Sequence, residues 1–544
     1  MDPKEITKFC IQNGLLIDKE VLSLLSENSD LESAKLIITK IKSQTKKKII
    51  TKELFEKDKS KIIRIFSRLP IENQVKLQKL KVKLGIKIEI SKEITAVVEE
   101  KKVEGVVVKK EFENKVGVKV LSSPPEEGKK YVVKDFVNFY RERFSKMREL
   151  LRNRRELRGL VSINKVSNSS KSVSIIGIVS DKRITKNNNL LFEIEDMTGK
   201  IRVLVNQNKK ELFEEAKDIS LDSIVGFVGN GNSEIIFANN FVYPDASLPE
   251  RKKSPVEEYA LFLGDLQIGS KISMEKDFVK FINYLNGEIS DDSEISKIKY
   301  IFLVGDIVEG VGVFPNQENE LVIKDLESQF SHLAELLGKI RKDITIIISP
   351  GNHDGVRLAE PQPFFDEKYA WPIYNLNNVI MTPNPAIVNI GARSGFEGFN
   401  VLTYHGFSYP YYSDNIPSFV DQGGAMNSPN LIMKYLLKYR HLAPTHGSNQ
   451  HLPSEEDSLI IKDVPDIFVS GHTHKMDIKH YKNILLISTA TWEKQNKFQE
   501  RMGNKPDFCK IPMLNLKTRE IKILDFYNPE QEEEIFAEEK GVEA

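Results

Sequence analysis

The sequence predicts a multidomain α/β protein: a small helical module, a compact run of short strands, and a larger domain in which strands and helices alternate. Three observations carry this reading. Five apolar runs in the C-terminal half, 259–263, 300–304, 344–348, 400–404 and 466–469, have strand length, and each ends in a polar motif. Segments of helical periodicity at 274–285, 324–341 and 429–441 separate them. Upstream, residues 170–245 read as short strands broken by one helix.

From the N-terminus, residues 1–80 read as short helices. Asp2-Pro3-Lys4-Glu5 supplies a cap, a proline in the first turn and an acidic residue, and Asn13-Gly14 stops that helix. The apolar pattern resumes over 31–41 behind a cap at Asp30. With no catalytic constellation, the module is expected to dock a partner or serve as scaffold. Residues 81–129 are expected to form a flexible linker, because Val, Lys and Glu alternate without aromatic anchors up to Ser122-Ser123-Pro124-Pro125-Glu126-Glu127-Gly128.

A basic helix is expected over about 133–158, within a segment 130–160. It bears Arg141, Arg143, Lys146, Arg148, Arg152, Arg154, Arg155 and Arg158 against Glu142, Glu149 and Glu156. Two readings stand. The cations contact a phosphate backbone, or they form a solvated face with Phe136, Phe139, Phe144, Leu150 and Leu151 packed beneath.

Within 161–250, strands are expected at 173–179, 190–195, 200–205, 223–228 and 234–241, with a turn at Asp196-Met197-Thr198-Gly199 and a helix at 209–217. Five strands with a helix between the third and fourth follow the OB-fold plan. Such barrels bind single strands or dock proteins, and the few aromatics at exposed positions favour docking. Residues 251–528 form the larger domain, with further strands at 484–488, 513–517 and 520–526 expected to complete a second sheet layer. The acidic tail 529–544, with Ile535-Phe536 embedded, is expected to be disordered.

Composition narrows the class. Among 544 residues, 79 Lys+Arg stand against 78 Asp+Glu, so overall charge neither demands nor excludes nucleic acid. Cys10 and Cys509 are the two cysteines and make no metal-type spacing, which fits a reducing, intracellular setting. The start is too polar for a signal peptide and no apolar run reaches membrane-spanning length, so a soluble protein away from membranes is expected.

The chemistry lies in the five motifs: Gly264-Asp265-Leu266-Gln267, Gly305-Asp306, Gly351-Asn352-His353-Asp354, His405-Gly406 and Gly471-His472-Thr473-His474. In an α/β sheet the ligand crevice lies at the carboxyl ends of the strands, so five polar tips are expected to build one site at the mouth of one sheet. Oxygen plus imidazole donors suit Mn, Fe, Co, Ni or Zn, whereas Ca or Mg would take mostly oxygen. Two histidines separated by one residue on an extended segment point the same way. His332 and His480 look structural, and His441, His446 and His451 are candidates to line the cleft without touching metal.

The motif order resembles the calcineurin-like metallophosphoesterase superfamily over roughly 255–527, a four-layer β-sandwich flanked by helices. The resemblance implies one metal on Asp265, residue 267, Asp306 and His474, and a second on Asp306, Asn352, His405 and His472, with Asp306 bridging. His353 would protonate the leaving oxygen or stabilise transition-state charge, oriented by Asp354. Two such cations clamp attacking and leaving oxygens and activate a water. At position 267 the family has His and this chain has Gln267. A neutral amide oxygen binds more weakly than imidazole, so a looser first site is expected, favouring Mn²⁺ over Zn²⁺, with Fe²⁺ or Mg²⁺ as alternatives.

The order of helical module, linker, OB-fold and phosphoesterase, with Tyr404-His405-Gly406-Phe407-Ser408 and 440–447, is similar to the small subunits of archaeal family D DNA polymerases, relatives of the B-subunits of eukaryotic replicative polymerases. That resemblance implies a 3′–5′ proofreading exonuclease acting on single-stranded or frayed 3′ ends. It also implies pairing with a large polymerase subunit, work with the sliding clamp, and a cytoplasmic, nucleoid-associated setting. Phe407, Tyr411 and Tyr412, with neighbouring Tyr409, are candidates to stack terminal bases. Two alternatives stay open: a scaffold subunit whose catalysis is weakened through Gln267, and a free-standing repair nuclease.

Overall fold

The computed structural model describes residues 3–28, 31–44, 49–51, 117–122, 130–167, 170–290 and 292–528. It divides into two compact units, 1–110 with 366–376, and the remainder. In the first unit, α1 (Pro3–Gln12), β1 (Leu16–Ile17), α2 (Lys19–Asn28), α3 (Leu31–Gln44) and β2 (Ile49–Ile50) follow one another, with β1 and β2 pairing in parallel. Ile6, Cys10, Val21, Leu25, Ile37 and Ile41 recur at helical spacing and close a small core. Gly14 at φ +69° follows α1 where the sequence placed its stop. The expected caps at Asp2 and Asp30 lie outside the described residues, as do 52–116 and the acidic tail.

The second unit departs from the expected linker at its start. Within the expected linker, β3 (Val118–Val120) is a strand, antiparallel to β13 (Ala386–Ile390), with Val118 buried. Alternating valines gain burial at a sheet edge that the sequence pattern could not show. The rest of that linker is outside the described residues apart from Gly117, Leu121 and Ser122.

The basic helix runs over Val133–Arg152, shorter than expected. Arg143 is buried and pairs with Asp457 at 2.5 Å, and Arg154 donates to the carbonyls of Pro244 and Asp245, so neither cation serves a phosphate. Phe139, Phe144 and Leu151 pack beneath the helix as expected, whereas Phe136 is exposed.

The barrel is closed in the order β4 (Ser170–Ile184), β5 (Leu190–Asp196), β6 (Gly199–Val205), β8 (Ile235–Val242), β7 (Ile224–Gly231), with helix Lys210–Lys217 between β6 and β7. That is the OB-fold plan. Asp196 shapes the β5–β6 turn by accepting from the Thr198 and Gly199 amides. The barrel is fastened to the larger domain: Tyr435 donates to the Asp218 carbonyl, Lys438 pairs with Glu215, and the apolar core of the barrel continues into Tyr404, Tyr412 and Leu436.

The larger domain deals its strands into two six-stranded sheets. One has the order β12 (Val379–Met381), β11 (Thr345–Ser349), β10 (Ile298–Val304), β9 (Tyr259–Leu263), β18 (Lys510–Asn515), β19 (Ile521–Asp525). The other runs β16 (Asp477–Tyr481), β17 (Ile484–Ser488), β15 (Ile467–Ser470), β14 (Phe399–Thr403), β13, β3. Two expectations change. The five tips rise from two sheets, three from the first and two from the second, and β18 and β19 extend the first sheet rather than the second. Strand order depends on long-range pairing, which a local pattern does not encode.

Side chains of alternate residues, Ala260, Phe262, Phe302, Val304 and Ile347 from one sheet, meet Val388, Val401, Val469 and Ile487 from the other. β9 is buried at every residue, as expected of a strand covered on both faces. No helix among the described residues is long and apolar enough to cross a membrane.

Candidate metal centre

The parallel strands β9, β10 and β11 bring their carboxyl ends together, and the loops after them run side by side. The Asp265 amide donates to the Gly305 carbonyl and the Gln267 amide to the Asp306 carbonyl, both at 3.0 Å. From the second sheet, β14 and β15 deliver His405 and the 471–474 segment to the same place, where the His472 amide donates to Asp265 at 3.1 Å. Five of the seven expected ligands, Asp265, Gln267, Asp306, His472 and His474, have φ between +48° and +69°. Non-glycine residues avoid that region, and its repetition here marks strain held at a functional site.

Glycine makes the close approach possible. A Cβ on Gly305 would lie 2.2 Å from His405 Nδ1, and one on Gly351 2.2 Å from Asp306 Oδ1. The glycines preceding Asp306 and Asn352 are therefore steric requirements.

The donors expected for the second metal converge. Asp306, His405 and His472 present ligand atoms within 4.8 Å of one another. His405 Nε2 lies 3.1 Å from Asp306 Oδ2 and 3.1 Å from Asn352 Oδ1. Its Nδ1–H is committed to the Val304 carbonyl at 3.0 Å, so Nε2 is left with a lone pair facing two oxygens. Such an arrangement calls for positive charge among the three atoms, a proton on Nε2 or a cation in its place. Burial opposes a charged ring, yet Asp306 pushes His405 up to about 10, a measure of how strongly the cluster attracts positive charge. Burial would raise Asp306, but His405 and His353 hold it far below the usual carboxylate range. Burial, with His405 nearby, pushes His472 down to about 3, leaving a neutral ring able to ligate.

Of the other expected set, Asp265 Oδ1 and His474 Nε2 stand 3.5 Å apart, and Gln499 meets His474 Nδ1 at 2.7 Å. Gln267 Oε1 is buried with no hydrogen-bond partner. A buried amide oxygen without a donor is costly, and a cation beside it would remove the penalty. The Asp306, His405 and His472 donors therefore fit a divalent cation, and Asp265, His474 and the bare Gln267 oxygen are of the right chemistry for metal ligands.

His353 lies over the Asp306 loop, its amide donating to Asp306 Oδ1 at 2.8 Å. The expected partner of its ring is corrected. Nδ1–H donates to the Glu309 carbonyl at 2.9 Å, while Asp354 accepts from the amides of Gly351 at 2.7 Å and Val308 at 3.0 Å. Asp354 is an acceptor of two backbone donors, so it clamps the 351–354 turn rather than orienting the imidazole.

The aromatic expectations divide. Tyr409 and Tyr412 are fully buried, Tyr412 accepting from the Thr445 amide and donating to Ser448, so neither can stack a base. Tyr411 is half-buried against the same core and 5.3 Å from the Tyr412 ring. Phe407 is half-buried, with its ring 5.8 Å from that of His472. His441 pairs with Asp457, and the Tyr140 hydroxyl meets His446 at 2.6 Å and His451 at 2.9 Å, so these three histidines fasten the basic helix.

Sequence reasoning missed Glu309 and Glu493. Both are buried beside the centre, and burial with mutual repulsion pushes Glu309 up to about 7. Glu309, three residues beyond Asp306, was findable; Glu493 follows no motif.

Residues 260–476 match the calcineurin-like phosphoesterase family and residues 173–233 the OB-fold nucleic acid binding domain. The DNA polymerase II small subunit of Pyrococcus abyssi is 37% identical over 418 residues, covering 75% of this chain and 65% of that protein. That of Pyrococcus horikoshii is 36% identical over 441 residues (78% and 69%). That of Methanothermobacter thermautotrophicus is 36% identical over 396 residues (72% and 79%). The match thus spans just under two thirds of the length of the Pyrococcus abyssi and Pyrococcus furiosus proteins.

Proposed function

The chain belongs to the DNA polymerase II small subunit family, and from that premise we propose that it is a metal-dependent phosphodiesterase removing nucleotides from single-stranded or frayed DNA 3′ ends. In this reading it proofreads for a large polymerase subunit with which it pairs. The observation that carries the reading is the convergence of His405 Nε2, Asp306 Oδ2 and Asn352 Oδ1, with Gln267, whose Oε1 is buried and unpartnered, joined to Asp306 through its backbone amide.

Asp306, Asn352, His405 and His472 would hold one cation, and Asp265, Gln267, Asp306 and His474 the other. Cations held there would polarise the phosphodiester and would supply a nucleophilic water at neutral pH. The chain's own groups do the rest. Because the Nδ1–H of His353 is spent on Glu309, Nε2 is the ring atom left to give a proton to the departing 3′ oxygen. Asp354 keeps His353 in register with Asp306 through the 351–354 turn. A mismatched end frays at lower cost than a matched one, which supplies selectivity without reading bases.

Hydrolysis of 3′-labelled single-stranded DNA in Mn²⁺, with and without the large subunit, tests this. Release of mononucleotides, lost in His353→Ala, is expected. A wild-type chain that is inert in both conditions and gains activity as Gln267→His would instead establish the weakened scaffold. Failure to copurify with a large polymerase subunit while cutting DNA would favour a free-standing nuclease.

A further inference from the structure

We propose that the loop 310–317 is a rigid platform whose Phe314, beside the His353 ring, stacks the unpaired terminal base of a DNA 3′ end; this rests on the phosphodiesterase reading above. Val311, Val313 and Phe314 are 47%, 36% and 38% exposed in a run of only eight residues. Three apolar side chains within four residues left in water would normally fold inward, and their display on a held loop marks a binding surface.

The loop is held by two buried glutamines. Gln317 donates to the Glu309 carbonyl at 2.9 Å and accepts from the Val313 amide at 2.9 Å. Gln329 accepts from the Gly310 amide at 2.8 Å and donates to the carbonyls of Gly310 and Ile323. Gly310, at φ +76°, sits so near the His353 carbonyl that a Cβ would lie 2.1 Å from it, which seats the loop on the 351–354 turn. The display is therefore built in.

Position identifies the occupant. The Phe314 ring centroid is 6.4 Å from that of His353, and the Phe407 centroid 5.8 Å from that of His472. Phe314 thus lies next to His353, and Phe407 next to the expected ligand His472. An aromatic face beside a phosphate-binding centre adds nothing to phosphate binding; what it can hold is the base attached to that phosphate. Every base has a π-face, so such stacking is indifferent to sequence. A paired base already has its stacking partners, whereas a frayed one is free to take the platform.

The full-length chain is titrated with a fluorescent single-stranded oligonucleotide whose last linkage is a cleavage-resistant phosphorothioate, ending in an ordinary or an abasic nucleotide. Wild type is expected to bind the ordinary end about tenfold more tightly. Phe314→Ala should lose that preference, and Phe314→Trp should restore it. A Phe314→Ala chain that discriminates as wild type does, or a wild type indifferent to the terminal base, overturns the platform. A wild type that discriminates but cleaves no diester in Mn²⁺ overturns the exonuclease reading and leaves the platform standing. Loss of large-subunit binding in Phe314→Ala, with base discrimination intact, would make the loop a partner surface and overturn the proposal.

Discussion

Gly351→Ala should disable the centre without replacing a ligand. The added methyl carbon would lie 2.2 Å from Asp306 Oδ1, 2.5 Å from the Asp306 amide nitrogen and 2.9 Å from its Cγ. Ordinary contact needs about 3.5 Å, so the two segments must part by more than an ångström. Neither is free to move. Gly351 donates to Asp354 at 2.7 Å and accepts from Gln362 at 3.0 Å, and Asp306 is tied by its carbonyl to Gln267. An ångström of misplacement at a reacting centre costs about a hundredfold in rate, and overpacking costs about 1–3 kcal/mol of stability. Mn²⁺ binding followed by electron paramagnetic resonance, with turnover of a small chromogenic diester, reads both effects. Gly199→Ala is the control, since its Cβ would meet Ile163 at an ordinary 3.7 Å. Wild-type Mn²⁺ affinity in Gly351→Ala would refute the claim that Asp306 is the shared donor.

Other consequences follow from the same geometry. Arg143→Met strands the buried Asp457 carboxylate and should cost about 3–5 kcal/mol by denaturant unfolding, while the exposed Arg141→Ala stays within about 0.5 kcal/mol. Burial would raise Asp457, but Arg143 and His441 hold it well below the carboxylate range. A depressed carboxylate stabilises above its unfolded pKa of about 3.9 and loses this as pH falls through the folded value, so the Arg143→Met penalty should shrink in acid; a constant penalty from pH 7 to 2 would contradict the pairing. If Gln267 is a ligand as proposed, Gln267→His should tighten metal binding on Asp265, Asp306 and His474 by about tenfold or more and shift preference toward Zn²⁺, read by calorimetric titration. Tyr412→Phe leaves the Thr445 amide without its acceptor, and should cost about 1–3 kcal/mol in unfolding experiments with little change in DNA cleavage. Selective loss of cleavage would return Tyr412 to the substrate path.

The centre was largely legible before folding because its parts are local. A strand of four or five apolar residues ending in Gly-Asp, Gly-Asn-His-Asp or Gly-His-Thr-His announces both its conformation and its chemistry, and the strands β9, β10, β14 and β15 end within about a residue of the expected places. The barrel was legible for the same reason, since Asp196 and the helix Lys210–Lys217 punctuate closely spaced strands.

What the tertiary structure decided is everything set by partners distant in sequence. Two sheets rather than one carry the five tips, and Val118–Val120 becomes a strand only because β13 offers an edge. Arg143, one cation among many on its helix, is claimed by Asp457, 314 residues away, and Tyr412, one aromatic among four, by the core. Phe314 is the converse: an apolar residue kept at the surface because Gln317 and Gln329 hold its loop outward. Local pattern fixes which backbone a segment adopts and which atoms it can offer, but burial and pairing are properties of the assembled chain, and they determine which of those atoms reach the cleft.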